Sequence, residues 1–469
     1  MKNKFFITTG IAYTNAPPHI GYALELIQAD VLARYHKILG EDVFFLTGTD
    51  EHGLKVARKA EESGKTPEEF TEELSRKFKE LTKVLNLSNN DFIRTTDKKR
   101  HWPNVEMVWR KLQEKGDIYK KKYKGLYCVG CEAFIKEKDL VDRKCFIHNK
   151  EPEIVEEENY FFKLSRPEYV NQLKKEIEEN KINIIPEGRK NEILSLINQG
   201  VEDISVSRAR ENLKWGIPVP GDDSQTIYIW FEALINYLFP KEKGYWPPDV
   251  QCIGKDIFRF HALIWPTMLI AFGTERPKNI LVHGFITSNG KKMSKSLGNV
   301  VDPFELVKKY GADAVRYFLL REISSTEDGD FAYDKFAKLY NADLAGGLGN
   351  LLARVLKLNE KINIKKEDKN SDLESFIIKT KEEYKKSFEL FKFNEALGAI
   401  WNLVNVCDKY IDDKKPWEDT ENKKGVIANL MLALGEIGIL IKPFLPETSE
   451  KMSKQLKDKK GISLFPRFR

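Results

Sequence analysis

Two pairs of metal-ligand residues stand close together in the chain: Cys128-x2-Cys131, then 13 residues, then Cys145-x2-His148. Three thiolates and one imidazole in two knuckles fill the tetrahedral shell of Zn2+. With no position left open for water, such a site is structural rather than catalytic. Cys252 and Cys407, the remaining two of five cysteines, read as ordinary core residues. Near the N-terminus, Pro18-His19-Ile20-Gly21-Tyr22 joins a turn to an apolar-periodic run. Gly21 permits close backbone approach there, and a helix start favours an anion. Far along the chain, Gly290-Lys291-Lys292-Met293-Ser294-Lys295-Ser296 carries three lysines in a small, polar segment. A Lys-rich loop is ordinarily a solvated surface, but its ammonium groups are also suited to gather around phosphates.

The elements that must position these residues are legible in outline. Phe5 to Thr8 is short and β-prone, and Ala23 to Leu39 has apolar residues at helical spacing (Leu24, Ile27, Val31, Leu32, Tyr35) up to Gly40. Val43 to Thr47 is a continuous apolar run that suits a buried parallel strand, followed by the loop Gly48-Thr49-Asp50-Glu51-His52-Gly53. Strand, helix, strand is the unit of a doubly wound α/β sheet, whose ligands gather outside the carboxyl ends of the strands. From about 115 to 224 the pattern changes to short β-prone runs that exit through Trp215-Gly216-Ile217-Pro218, which predicts an insertion. Strands at Thr226–Trp230, Val250–Ile253 and Asn279–His283, with a helix at Ile257–Phe272, then resume the α/β pattern. Beyond Tyr333, long helical patterns with solvated Lys and Glu faces predict a bundle.

Composition sets the frame. The 469 residues exceed one compact core, and 41% apolar with 32% charged residues describes globular domains. The longest apolar stretch, Ala262 to Phe272, falls far short of the ~20 residues that span a bilayer. MKNKFFITTG has no apolar run long enough for a signal peptide. Few cysteines and no leader point to a reducing cytoplasm. A net charge of +6 is too small to indicate nucleic acid unless it is clustered on one face.

Taken together, the turn at His19 and the lysine loop resemble the paired signatures of class I aminoacyl-tRNA synthetases, usually His-Ile-Gly-His and Lys-Met-Ser-Lys-Ser. Ile11-Ala12-Tyr13, Leu46 to Gly53, the Cys/His cluster, Trp215 to Pro218, Trp230-Phe231-Glu232-Ala233, Gly254-Lys255-Asp256-Ile257 with His261, and His283-Gly284 extend the resemblance. They are similar, in the same order, to the methionyl-tRNA synthetases with a single zinc knuckle, over residues 5 to 420. One position departs from the pattern: Tyr22 stands where the family has its second His. A phenol donates a hydrogen bond but carries no imidazolium charge.

The resemblance implies a Rossmann-type catalytic domain split by a connective insertion (1–114, 115–224, 225–275), a linker region with the lysine loop (276–335) and an α-helical anticodon-binding domain (336–469). It implies catalytic roles for His19, Tyr22, Lys292 and Lys295, and ATP contacts from His19, Gly21, Gly254, Asp256, His283, Gly284 and Lys295. A methionine pocket would comprise Ile11, Tyr13, Asp50, Trp230, Ala233, Leu234, Tyr237 and His261, with Asp50 pairing the substrate ammonium. Cys128, Cys131, Cys145 and His148 would hold one structural Zn2+, and Mg2+ would accompany ATP. Asn350, Arg354 and Trp417 would read the CAU anticodon of tRNA(Met), initiator and elongator alike. Some members carry a further C-terminal domain that dimerises. This chain stops at Arg469, so a monomer without membrane attachment is expected. A non-catalytic tRNA-binding paralogue is the alternative, and Tyr22 is the one feature in its favour.

Overall fold

A computed structural model of the chain describes residues 2–130, 133–135, 137, 140–146, 149–293, 298–360, 362, 364, 372–418 and 422–468. It forms two compact units: Met1–Pro18, Glu41–Glu80 and Asn89–Val282 make the first, and His19–Gly40, Leu81–Ser88 and His283–Arg469 the second.

The first unit is built on a seven-stranded sheet of β1 (Lys4–Thr9), β2 (Ala12–Tyr13), β3 (Asp42–Asp50), β4 (Asp91–Arg94), β5 (Asn183–Ile185), β6 (Val250–Gly254) and β7 (Asn279–His283), in the order β5-β7-β6-β1-β3-β2 with β4 also paired to β3. The pairings of β1 with β3 and β6, of β3 with β2 and β4, and of β5 with β7 are parallel. β1 and β3 are buried along all but their first residue, which explains their continuous apolar sequences. The register pairs Thr9 with Cys252, Tyr13 with Asp50 and Thr49 with Arg94, so the carboxyl ends of five strands share one edge. Gly48 makes this close: a Cβ there would lie 2.0 Å from the Ile93 carbonyl oxygen of β4.

Three sequence expectations need correction. β5 lies inside 115–224 yet belongs to the parallel sheet, and β7 lies inside 276–335 yet does so too. A strand of three residues is too short to show any periodicity. The strand expected at 226–230 is instead Asp222–Ile227, in an antiparallel three-stranded sheet with Ser207–Ala209 and Pro218–Val219, and Trp230 already belongs to the helix Ile229–Leu234. The rest of 115–224 is dominated by a long antiparallel ribbon, Ile118–Cys128 against Glu153–Phe162. One apolar cluster joins Trp109 of the helix Trp102–Glu114 to Phe231, Tyr237 and Trp265, so the segments that carry the pocket residues share a core.

The second unit begins with the helix Ile20–Ile38, buried on most of its faces from Ile20 to Ala33. A small sheet pairs Ile286–Ser288 with Lys291–Lys292 and with Gly329–Phe331. The expected helical region follows, with Asn350–Asn359, Glu374–Glu389, Phe393–Lys414, Lys423–Leu440 and Pro446–Asp458 as its longer members. Cys252 and Cys407 are fully buried, one in each unit. Among the described residues, no helix is long and apolar enough to cross a membrane.

Candidate functional site

In the first unit, the loop after β3 is held from several sides. The backbone N–H and hydroxyl of Thr14 both donate to the Asp50 carbonyl oxygen, at 2.9 and 3.0 Å. Arg94 donates to both carboxylate oxygens of buried Glu51 (2.7 and 3.0 Å), Thr49 adds a 2.6 Å bond, and the Trp215 indole N–H donates to the Glu51 carbonyl at 2.6 Å. Asp50, 2% exposed, is thereby held through its backbone at the strand end beside Tyr13 of β2. Ile11 and Tyr13 are half-buried.

Trp230, Ala233 and Leu234 occupy the helix Ile229–Leu234, with Tyr237 on the turn that follows. Trp230 stacks on Phe260, with centroids 4.0 Å apart. His261 sits in a π-helical turn, Phe260–Ile264, that leads into the helix Trp265–Phe272. Such turns displace side chains from the α-helical register and recur at functional sites. Nδ1 of His261 lies 3.0 Å from the Ile257 carbonyl, which can only accept, so Nδ1 carries the proton. Nε2 then accepts from the Tyr237 hydroxyl at 2.8 Å. Burial lowers this imidazole to about 4, so the pair is uncharged at neutral pH. Gly254 ends β6, and Asp256 is exposed in the turn before the helix that carries His261.

The sequence reading assigned no role to Glu232. Its carboxylate is fully buried and accepts from His52 Nδ1 at 2.8 Å and from His101 Nε2 at 2.7 Å. Burial raises this carboxyl, but the charge of His52 and the hydrogen bonds from both imidazoles outweigh it and hold it below the usual range.

In the second unit, His19 is the N-cap of the helix Ile20–Ile38, and its Nδ1 accepts from the Gly21 N–H at 3.1 Å. The glycine is required by that contact, since a Cβ at position 21 would lie 2.9 Å from His19 Cε1. His19 is exposed and Tyr22 half-buried. On the same helix, Glu25 lies 3.0 Å from His283 Nε2, while His283 Nδ1 donates to the Gly284 carbonyl at 2.8 Å. A Cβ on Gly284 would meet the Glu327 backbone at 2.3 Å, so this approach also needs glycine. Lys292 is exposed on its short strand, and Asp330 anchors the preceding turn by accepting from the Gly290 N–H (2.7 Å) and the Thr287 hydroxyl (2.6 Å). Lys295 lies outside the described residues.

Of the expected metal ligands, Cys131 and His148 also lie outside the described residues. Cys128 ends the long ribbon strand and pairs with Ala133, and Cys145 pairs with Leu140 at the end of a second pair of strands. Both cysteines are 3% exposed. A buried cysteine at the end of each of two paired strands fits a pair of zinc knuckles.

Asn350 and Arg354 lie one turn apart on the helix Asn350–Asn359, with Asn350 exposed, and Trp417 is 50% exposed. Arg354 is engaged by Asp412 at 2.6 Å and by Asp408 at 3.4 Å, both on the helix Phe393–Lys414. Burial, helped by Asp412 and opposed by Arg354, raises the Asp408 carboxyl to about 6. A carboxyl raised on folding stabilises the fold most below its unfolded value near 3.8, and that contribution disappears as pH rises through about 6. Asp408→Asn is therefore expected to flatten the fall in urea midpoint across this interval. A midpoint-versus-pH curve unchanged by the substitution would contradict it.

Two family models match the chain: tRNA synthetases class I (M), over residues 5–139 and 131–356, and the anticodon-binding domain of tRNA ligase, over 370–468. The methionine–tRNA ligase of Thermotoga maritima is 41% identical over 477 residues, 97% of this chain and 75% of that protein. That of Caldanaerobacter subterraneus is 44% identical over 478 residues, 97% of this chain and 74% of that protein. The structure of Mycobacterium tuberculosis methionyl-tRNA synthetase in complex with methionyl-adenylate superposes with a TM-score of 0.90 at 36% identity, covering 96% of this chain and 93% of that one. With the strand-end carboxylate Asp50, the capping His19 and the helical C-terminal region already described, these likenesses leave one conclusion: the chain belongs to the methionyl-tRNA synthetases, class I enzymes with an α-helical anticodon-binding domain.

Proposed function

We propose that this chain activates methionine with ATP and transfers it to the 3′ end of tRNA(Met). The observation that carries the proposal is the near full-length likeness to a synthetase solved with methionyl-adenylate. In the first step a methionine carboxylate oxygen attacks the α-phosphorus; that O–P bond forms as the bond to pyrophosphate breaks. In the second, the terminal ribose hydroxyl attacks the activated carbonyl carbon and AMP leaves. Neither step needs a covalent enzyme intermediate, so the protein's work is placement and charge stabilisation.

Asp50 takes the substrate ammonium. Ile11, Tyr13, Trp230, Ala233, Leu234, Tyr237 and His261 surround the thioether, for which the uncharged Tyr237–His261 pair is an apt partner. His19, the Gly21 backbone and Tyr22 serve the α-phosphate region; Gly254, Asp256, His283 and Gly284 serve the adenosine; Lys292 and Lys295 close over the pyrophosphate. Mg2+ bound with ATP shares the pyrophosphate charge. Zn2+ on Cys128, Cys131, Cys145 and His148 is structural, supported by the placement of the two described cysteines at the ends of paired strands. Asn350, Arg354 and Trp417 read the anticodon, and the cytoplasm is the expected compartment.

Methionine-dependent exchange of pyrophosphate into ATP tests the reading, run beside isoleucine, leucine, valine and cysteine. Exchange with methionine alone is expected. Exchange with another amino acid would overturn the pocket, and none at all from folded, zinc-loaded protein would favour a tRNA-binding paralogue disabled at Tyr22.

A further inference from the structure

We propose that Glu232, through His52 and His101, is a positioning group for methionine. It fastens the helix Ile229–Leu234, which carries Trp230, Ala233 and Leu234, to the end of β3, which carries Asp50. The proposal rests on the methionine reading above.

Sequence adjacency makes the linkage direct. His52 follows Asp50 by two residues, Glu232 follows Trp230 by two and precedes Ala233 by one, and His101 stands at the start of the helix Trp102–Glu114. Each carboxylate oxygen of Glu232 serves a different imidazole, so a single side chain joins its own helix to two segments 131 and 180 positions away in the chain. The helix does not need this carboxylate for packing. Phe231, on the neighbouring position, already meets Trp109 edge to face at 5.5 Å in the apolar core. A buried charge contributes little net stability compared with an apolar group of the same volume, and its recognised use is to fix one arrangement among several.

The protons can be assigned. Nδ1 of His101 is buried with no hydrogen-bond partner, and a buried N–H left unpaired there would be costly. His101 is therefore the neutral Nε2–H tautomer, donating to Glu232. His52 donates its Nδ1–H to the other oxygen, with its ring in a T-shaped contact with Trp215 (centroids 5.2 Å), which itself holds the Glu51 carbonyl. Two imidazoles and a carboxylate are also familiar metal ligands. Here one nitrogen of each ring is directed at its own carboxylate oxygen within hydrogen-bond distance, and among the described residues no trio of such side chains is arranged to hold an ion. The arrangement is a hydrogen-bonded clamp.

The test compares His52→Ala with His52→Asn, whose amide N–H replaces the ring Nδ1–H, and uses Glu232→Gln as an independent variant. In pyrophosphate exchange, His52→Ala should raise the methionine KM about tenfold, equivalent to about 1.4 kcal/mol, with the ATP KM within about twofold and kcat within about threefold of the parent. His52→Asn should return the methionine KM to within about threefold, and Glu232→Gln, which sets an amide N–H against an imidazole N–H, should show the same split as His52→Ala. Equal effects of Ala and Asn, a parallel rise in both KM values, an unmoved methionine KM, or failure of His52→Ala and Glu232→Gln alike to fold would each overturn the proposal. Absence of methionine exchange in the parent protein would instead remove the reading on which it rests.

Discussion

Replacing His19 with alanine should lower kcat for methionine-dependent pyrophosphate exchange by about 10²–10³-fold, the usual cost of removing one preorganised donor from a developing charge. On the proposed function, His19 has two tasks. Its Nδ1 accepts from the Gly21 N–H and caps the helix Ile20–Ile38, which leaves Nε2 as the N–H of the neutral ring. Capping is worth about 1 kcal/mol and is shared by asparagine, whose side-chain oxygen accepts the same bond. His19→Asn should therefore recover most of the stability lost in His19→Ala and almost none of the rate. The methionine KM should move little in either variant, because the imidazole acts on charge that grows only toward the transition state. Recovery of exchange by asparagine would reduce His19 to a cap, and a loss smaller than about tenfold would remove it from the catalytic set.

The features that sequence made visible were those with local signatures. β1 and β3 are unbroken apolar runs because both faces are covered, and the helix Ile20–Ile38 ends before Gly40, which has the positive φ of a C-terminal stop. What stayed hidden depends on distant partners or on deviations within an apolar stretch. Ile257 to Phe272 reads as one helix, yet Phe260–Ile264 within it is a π turn that carries His261. Glu232 reads as an acid on a short apolar helix, since neither His52 nor His101 is near it in sequence. Arg354 was legible as a polar residue one turn from Asn350, while its two carboxylate partners lie 54 and 58 positions later. Asn183–Ile185 could not be assigned to the parallel sheet, because membership is decided by the strand beside it.

The same dependence on distant partners makes Arg316 the position where the largest stability loss is expected. Arg316 is fully buried. Its guanidinium pairs with Asp30 at 2.7 Å and donates to the carbonyls of Phe444 (2.6 Å), Pro443 (2.9 Å) and Leu85 (3.3 Å). Asp30 lies on the helix that His19 caps, so this one side chain joins that helix to Ala312–Arg321 and to the turn before Pro446–Asp458. Arg316→Met should cost about 3–5 kcal/mol, the range for removing one partner of a buried pair, and it leaves Asp30 with Arg34 as its one remaining ion-pair partner among the described residues. The pH dependence should change as well. In the native protein burial raises the Asp30 carboxyl, but Arg316, Arg34 and the Ser88 N–H outweigh it and hold it below 3.8. Its contribution is thus complete above that value and fades only as pH falls through the lowered one. Without Arg316 the burial effect gains ground, so the variant's deficit should widen as pH rises from about 4 to 7. Adding Asp30→Met should then cost less than the sum of the two single losses, because the buried carboxylate that lost Arg316 is removed with it. Guanidinium unfolding midpoints at several pH values test all three statements. A deficit in Arg316→Met that is constant with pH, or strict additivity with Asp30→Met, would show that the three orphaned carbonyls, rather than the buried charge, account for what Arg316 contributes.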